Sequence, residues 1–277
     1  MKKNLYLKLE KLKKILKDMG SVLVAYSGGV DSSFLLKVAT DVLGNNVLTV
    51  TAVSPIYSKK QIREAKEFTQ SNNIRHLMIK TFQYKNPLFI KNNYQRCYFC
   101  KRELFSKLKK IAKKQKINYV VDGTNFDDQK DFRPGEKAKK ELGIRSPLSE
   151  ANIKKDEIRI LSKELGLNTY NKPSQACLAS RIAYGDRISL YKLKRIEKAE
   201  FFLKSLGFKQ VRVRDYSDLA RIEVKKSQLS YLIKNRLKIC NFLKKLGFIY
   251  ITLDLEGYRQ GSMNLILKGG RNEKGLS

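Results

Sequence analysis

The sequence predicts an α/β protein: a Rossmann-like domain on a parallel sheet, followed by a smaller α+β domain. Three observations predict it. Short apolar runs at Val22–Tyr26, Val47–Val53, Arg75–Lys80 and Tyr119–Asp122 alternate with segments of helical periodicity. A glycine-rich turn, Ser27–Ser33, joins the first run directly to a helix. Towards the C-terminus, FLKSLGF (202–208) and FLKKLGF (242–248) form a weak repeat, each a helix end with a glycine stop leading into a strand. The boundary falls in NKPSQACLASRIAYG (171–185), which gives domains of residues 1–175 and 176–277.

Residues 1–20 read as an amphipathic helix, with Leu5, Leu9, Leu12, Leu16 and Met19 at i, i+3/i+4 spacing. This start is basic but has no continuous apolar core or cleavage site, and no apolar run is long enough to span a membrane. A cytoplasmic protein is expected. Val22–Tyr26 reads as a strand buried on both faces. In the turn that follows, Gly28 and Gly29 let the backbone bend sharply and approach a ligand. The next helix offers unpaired N–H groups and the positive end of its dipole, a phosphate site. Asp31 can hold Mg²⁺, and Ser27, Ser32 and Ser33 can donate hydroxyl hydrogen bonds to phosphate oxygens. The chain has no G-x-x-x-x-G-K-[ST] loop. S-G-G-x-D-S after a buried strand resembles instead the PP-loop of ATP pyrophosphatases, which cleave ATP between the α- and β-phosphates. That resemblance implies adenylation.

The second strand, Val47–Val53, ends in a segment, Thr51–Ser54, that includes Ala52 and is placed to contact adenine. A helix follows over 58–71 and a third strand over 75–80. Residues 84–101 read as irregular and carry C-x-x-C; a helix is expected over 103–116. The fourth strand, Tyr119–Asp122, runs into D-G-T-N. Ligands of parallel sheets lie beyond the carboxyl ends of the strands. Ser27–Ser33, Thr51–Val53 and Asp122–Asn125 therefore surround one expected crevice, with Asp122 and Gly123 on its rim. A polar loop (127–134), a helix over 136–142 stopped by Gly143, and a helix over 154–165 stopped by Gly166 complete this domain. In the second, strands at 210–215 and 220–224 form a hairpin, a helix covers 227–246, and a last strand covers 249–255.

The formal charge is +32, with lysines spread along nearly every helix. A nucleic-acid partner and a lysine-rich host composition account for it equally well. Four cysteines in such a chain do not suggest a disulfide framework. Cys97 and Cys100 have three readings. A thioredoxin-like pair needs a helix start after a strand. A zinc site needs four ligands, and the one histidine, His76, would have to join Cys177. Three cysteines, Cys97, Cys100 and Cys177, suit a [4Fe–4S] cluster with one iron open. Arg96, Lys101, Arg102 and Arg181 beside them favour thiolates. Cys240, on an apolar helical run, reads as core. Arg212 and Arg214 leave one face of a strand and either clamp an anion or form a solvated edge; Glu223 can orient one of them, and Arg259 is a further candidate.

From the first strand onward the chain resembles the LarE family, ATP-dependent sulfur transferases of nickel-pincer nucleotide cofactor synthesis. The resemblance is carried by AYSGGVDSS (25–33), DGTN (122–125), DFRPG (131–135), ELGIRSPL (141–148), ACLASRIAYG (176–185), RVR (212–214) and ARIE (220–223). It implies that ATP adenylates a carboxylate of pyridinium-3,5-biscarboxylic acid mononucleotide, and that sulfur then displaces AMP to leave a thiocarboxylate. Three cysteines resemble the branch that holds a [4Fe–4S] cluster rather than the branch that sacrifices a cysteine sulfur. By the same resemblance Ser27, Gly28, Gly29, Asp31 and Ser32 hold ATP phosphate. Ser180, Arg181, Arg212, Arg214 and Arg259 grip the anionic substrate, with Glu223 nearby. Asp31, Cys177 and Arg181 are expected at the chemistry. Expected partners are the small-molecule nucleotide, a sulfide or other sulfur donor, and further copies of the chain in a homo-oligomer, with neither membrane nor nucleic acid. A tRNA-thiolating PP-loop enzyme is the alternative, and an ATP-sensing protein without catalysis a third reading.

Overall fold

A computed structural model of the chain describes residues 2–130, 134–173 and 176–269. Asp131–Arg133 of the D-F-R-P-G segment, and Ser174 and Gln175 of the 171–185 stretch, lie outside the described residues. Packing divides the chain into two units: Met1–Gln83 with Cys97–Gln175, and Tyr84–Arg96 with Ala176–Ser277.

In chain order the elements are α1 (Lys2–Met19), β1 (Val22–Ala25), α2 (Val30–Leu43), β2 (Val47–Val53), α3 (Lys59–Ser71), β3 (His76–Lys80), α4 (Pro87–Ile90), α5 (Arg96–Lys114), β4 (Tyr119–Asp122), α6 (Gly135–Glu141), α7 (Pro147–Glu150) and α8 (Lys155–Glu164). The first unit holds a four-stranded sheet in the order β3-β2-β1-β4, parallel throughout. Alternation along β1 explains its uninterrupted apolar run. Val22 and Val24 join one core with Leu12, Leu16, Phe34 and Leu35. Leu23 joins another with Leu48, Phe105 and Leu108. All five apolar positions of α1 read from the sequence are buried in the first of these cores.

α5 begins at Arg96, so the cysteine pair lies within its first five residues rather than in irregular chain. Asn93 leads into this start, its Oδ1 accepting from Gln95 N at 2.9 Å and its carbonyl from Arg96 N at 3.1 Å. His76 ties the sheet to α3: its Nδ1 lies 2.8 Å from Thr69 Oγ1 and its Nε2 2.9 Å from Thr51 Oγ1. Thr51 Oγ1 in turn donates to the carbonyl of Tyr26 at 3.0 Å. Burial pushes the imidazole below its ordinary value of 6.5. The unfolded chain therefore takes up this proton at a higher pH than the folded one, and stability falls as pH drops through about 6.5. Because His76 is the one histidine, urea-unfolding midpoints are expected to fall between about pH 7.5 and about pH 5.5, and His76→Gln to flatten that fall.

The second unit contains α4, α9 (Leu190–Ser205), β5 (Val211–Tyr216), β6 (Leu219–Val224), α10 (Leu229–Lys234), α11 (Arg236–Lys245), β7 (Tyr250–Leu253) and α12 (Leu265–Gly269). The 84–96 segment is fastened there by Asn92, whose Nδ2 donates to the carbonyls of Ala183 (2.6 Å) and Asp186 (2.9 Å). Its sheet runs β5-β6-β7, antiparallel then parallel, with Arg212 opposite Glu223 and Arg214 opposite Arg221. The repeat is structural. Gly207 (φ +95°) and Gly247 (φ +89°) end their helices in the left-handed region, and Phe202 stacks on Phe242 at 3.9 Å between centroids. The helix expected over 227–246 is two helices, α10 and α11. Asn235 sits between them with Nδ2 donating to the carbonyl of Tyr231 at 2.9 Å, a side-chain bond that competes with helix continuation. Among the described residues no helix is long and apolar enough to cross a membrane.

Candidate functional site

The carboxyl ends of β1, β2 and β4 carry the glycine turn, Ala52 and Asp122–Gly123. Gly28 has φ +71°, and a Cβ there would stand 3.2 Å from the Cβ of Ala65 on α3, so both conformation and space demand glycine. Gly29 is the N-cap of α2 and no side chain caps that end, which leaves the first N–H groups of a fourteen-residue helix to a ligand. Ser32 Oγ lies 3.1 Å from Ser27 Oγ and donates to the carbonyl of Gly29 at 3.2 Å. Ser33 is fully buried, its hydroxyl 3.1 Å from Tyr26 Oη, so it braces the turn from behind. Burial raises the Tyr26 phenol above its ordinary range. Ala52 is half-buried at the end of β2.

Basic residues surround the turn. Lys155 on α8 binds both oxygens of Asp31, at 2.7 and 2.6 Å. Lys172 donates to the carbonyl of Gly28 at 2.8 Å and pairs with Glu64 at 2.5 Å. Gln61 donates to the carbonyl of Ser27 at 3.0 Å. Sequence reasoning misses all three: the two lysines because lysine is too common in this chain to single out, and Gln61 because it belongs to no motif. One signal does exist: a lysine opening α8 opposes the helix dipole, which favours carboxylates there.

Gly123 lies tight on the first turn of α2, since a Cβ there would stand 2.8 Å from Ser32 N. Asp122 is buried and occupied by its own chain: Ser146 Oγ (2.7 Å), Thr124 Oγ1 (2.8 Å) and Lys139 Nζ (3.2 Å). Burial alone would raise its carboxyl, but Lys139, Lys101 and the two hydroxyls hold it below the ordinary value. Its role here is to organise the end of β4. The ELGIRSPL segment docks alongside, with Asp122 N donating to the carbonyl of Arg145 and Arg145 N to that of Val120, both at 3.0 Å. Gly135 fits against α5, where a Cβ would meet Lys101 Cγ at 3.0 Å and the carbonyl of Cys97 at 3.6 Å. Within the first unit, then, α6 links the first turn of α5, through Gly135, to the end of β4, through Lys139.

The second unit gathers Cys177, Ser180, Arg181, Arg212, Arg214 and Glu223. Arg181 is buried and forks Glu200 (2.8 and 3.2 Å), while its remaining nitrogen donates to the carbonyls of Ala176 (2.6 Å) and Cys177 (2.9 Å). It thereby fixes the backbone that carries the thiol. Ser180 Oγ donates to the same Cys177 carbonyl at 2.7 Å. Arg214 forks the fully buried Glu223 (2.9 and 2.6 Å) and donates to the carbonyl of Ser180 at 3.1 Å. Arg212, also buried, donates to the carbonyl of Val211 and lies 5.3 Å over the Tyr258 ring. Burial and the charge of Arg181 push the Arg212 guanidinium below its ordinary value, against Glu200 and Tyr258. An anion arriving there would be favoured. Arg259 joins through Asp254 (3.5 Å), which also pairs with Arg221, itself 3.1 Å from Glu223. Of the two open readings of the strand arginines, the solvated edge is excluded by their burial.

None of the four cysteines is in a disulfide. The pair on α5 opens a helix, as a redox pair would, but α4 and a turn precede it rather than a strand. A zinc site drawing on His76 is not supported, since both ring nitrogens are engaged by threonines. Thiolates at a helix start suit an iron–sulfur centre in donor type, the dipole favouring the charged form. Cys97 and Cys100 belong to the first unit and Cys177 to the second. Among the described residues no three His, Cys, Asp or Glu side chains gather as a metal-binding group. For Mg²⁺ the fit is direct: Asp31 is a partly exposed carboxylate whose two oxygens already face a cation, the Lys155 ammonium.

No family model matches the chain. It is 38% identical over 251 residues to the pyridinium-3,5-bisthiocarboxylic acid mononucleotide synthase of Lactiplantibacillus plantarum, covering 90% of this chain and 91% of that protein. It is 44% identical over 262 residues to an uncharacterised protein of Synechocystis sp., covering 94% and 98%. A weaker likeness, 26% over 168 residues, is to one subunit of the glutamine-hydrolysing GMP synthase of Thermoplasma volcanium, covering 56% and 54%.

Proposed function

The chain belongs to the family of the pyridinium-3,5-bisthiocarboxylic acid mononucleotide synthase, and from that premise we propose that it is an ATP-dependent sulfur transferase acting on a pyridinium carboxylate nucleotide. A substrate carboxylate oxygen attacks the α-phosphorus of ATP, the bond to the β-phosphate breaks, and pyrophosphate leaves. Sulfide then adds to the acyl carbon and expels AMP, which leaves a thiocarboxylate. The observation that carries this reading is the uncapped start of α2 at the glycine turn beside a carboxylate already facing a cation. The partial likeness to a GMP synthase subunit supports a nucleotide-binding domain in the chain.

The chain's own residues divide the work. The N–H groups at the start of α2, with Ser27 and Ser32, bind the departing pyrophosphate; Asp31 would hold Mg²⁺, which would supply positive charge to the phosphates. In the second unit Arg212 and Arg214 bind the anionic nucleotide. Each charge-assisted hydrogen bond contributes about 1.5–3 kcal/mol, so two guanidiniums suffice to hold a phosphate. Arg181 and Ser180 position the backbone of Cys177. Cys97, Cys100 and Cys177 would hold a [4Fe–4S] cluster, whose open iron would supply the sulfide.

Incubation with Mg²⁺–ATP, the biscarboxylate nucleotide and sulfide is expected to release AMP and pyrophosphate and to yield the thiocarboxylate by mass spectrometry. Formation of ADP, or of no nucleotide product, would overturn the reading. Protein purified without oxygen is expected to be brown, and Cys97→Ala, Cys100→Ala and Cys177→Ala each to lose iron and acid-labile sulfide. Cys240→Ala is expected to keep both, because Cys240 lines an apolar hollow of about 170 Å³ with Ile222, Leu232 and Ile239. Full iron content in any of the first three would remove that residue from the ligand set.

A further inference from the structure

Three lysines reach the mouth of the first unit's sheet, and they differ in how firmly they are held. Lys139 is buried among Asp122, Thr124 and Glu136. Lys172 is fixed by the Gly28 carbonyl and Glu64. The Lys155 side chain is 29% exposed, and among the described residues its ammonium bonds to Asp31 alone. The start of α8 does not depend on that ammonium. Lys155 N donates to Asp127 Oδ2 and Lys154 N to Glu157 Oε2, both at 2.8 Å.

An ammonium astride both carboxylate oxygens occupies the place a divalent cation needs. Mg²⁺ prefers carboxylate and phosphate oxygens at about 2.0–2.1 Å with an octahedral shell, and two cations cannot share those oxygens without strong repulsion. Partly exposed ion pairs of this kind are weak, and a lysine stem is long and flexible. The contact can therefore exchange. We propose that Lys155 is a cation gate. In the nucleotide-free protein its ammonium holds Asp31 in place of Mg²⁺. When a Mg²⁺–nucleotide arrives, the metal takes the carboxylate and Lys155 moves to a phosphate oxygen. The proposal rests on the reading of Ser27–Ser33 as a phosphate loop and names the residue that orders metal and nucleotide binding there.

The test uses the nucleotide-free full chain titrated with Mn²⁺, free metal being read by electron paramagnetic resonance. Lys155→Met is expected to bind Mn²⁺ about tenfold more tightly than the unaltered protein. Lys155→Arg is expected to keep the weak binding, and Lys155→Met with Asp31→Asn to lose the gain. Calorimetry with a Mg²⁺ complex of a non-cleavable α,β-methylene ATP analogue is expected to show about tenfold weaker binding by Lys155→Met. Circular dichroism checks that each variant is folded, and Lys155→Gln serves if the methionine variant is not. Unchanged Mn²⁺ affinity in Lys155→Met, with the unaltered protein still binding the Mg²⁺–nucleotide, would overturn the gate and leave the phosphate loop standing. No binding of the Mg²⁺–nucleotide by the unaltered protein would overturn both.

Discussion

Asp31→Ala is expected to lower release of AMP and pyrophosphate by at least about 10²–10³-fold while leaving the fold and the iron content intact. Asp31 is the carboxylate at the start of α2, and the developing charge on the departing pyrophosphate must be neutralised there. Removing one such preorganised electrostatic contact costs about 10²–10³ in rate. Its partner is Lys155, and both side chains are partly exposed, 22% and 29%. A pair of that exposure contributes about 0–1 kcal/mol to stability. The variant thus separates chemistry from folding: the urea midpoint stays, turnover goes. Retained AMP formation would move the metal to another residue, and a collapsed midpoint would show that Asp31 supports the turn itself.

The second large effect falls on stability. Glu223→Ala is expected to destabilise the second unit by about 3–5 kcal/mol, the cost of leaving a buried charge without its partner. Glu223 is fully buried. It accepts both fork nitrogens of Arg214, a nitrogen of Arg221 at 3.1 Å and the hydroxyl of Ser262 at 3.0 Å. All of these lose that carboxylate at once, and Arg214, left with the Ser180 carbonyl and the Ser262 hydroxyl, keeps no anionic partner among the contacts described. Exchanging both partners for apolar residues of similar volume is commonly neutral or stabilising, so Arg214→Met with Glu223→Met is expected to recover most of the urea midpoint. That double variant keeps the sheet but removes a guanidinium assigned to the nucleotide anion. It is expected to remain folded and to bind the substrate nucleotide at least about tenfold more weakly. Unimpaired substrate binding by the folded double variant would reduce Arg214 to a structural brace.

Much of the frame is readable from local pattern. The strands at Val47–Val53 and Tyr119–Asp122 have the expected bounds, because a parallel strand covered on both faces shows as a continuous apolar run. The hairpin that sets Arg214 beside Glu223 follows from two alternating runs and a short turn. Local pattern fails where a tertiary partner or a side chain overrides it. α5 starts at Arg96 rather than at the expected Glu103, and a single asparagine divides α10 from α11.

Of the candidate site, the glycine turn is legible because its chemistry is contiguous: Gly28 must be glycine for its own φ and for Ala65. The long side chains are not. The family resemblance implies a place for Arg181 at the substrate, and only the fold shows that it also engages Glu200 and two carbonyls. Nothing in the sequence links Asp31 to Lys155, which lies 124 residues further on. The sequence by itself determined the sheet, the turn at its mouth and the residue types able to bind phosphate, since periodicity and glycine geometry act over a few residues. Only tertiary structure decided which cation meets which carboxylate. In a chain with 58 lysines and arginines against 26 acids, each acid has many local candidates, and burial and distance in the folded state select among them.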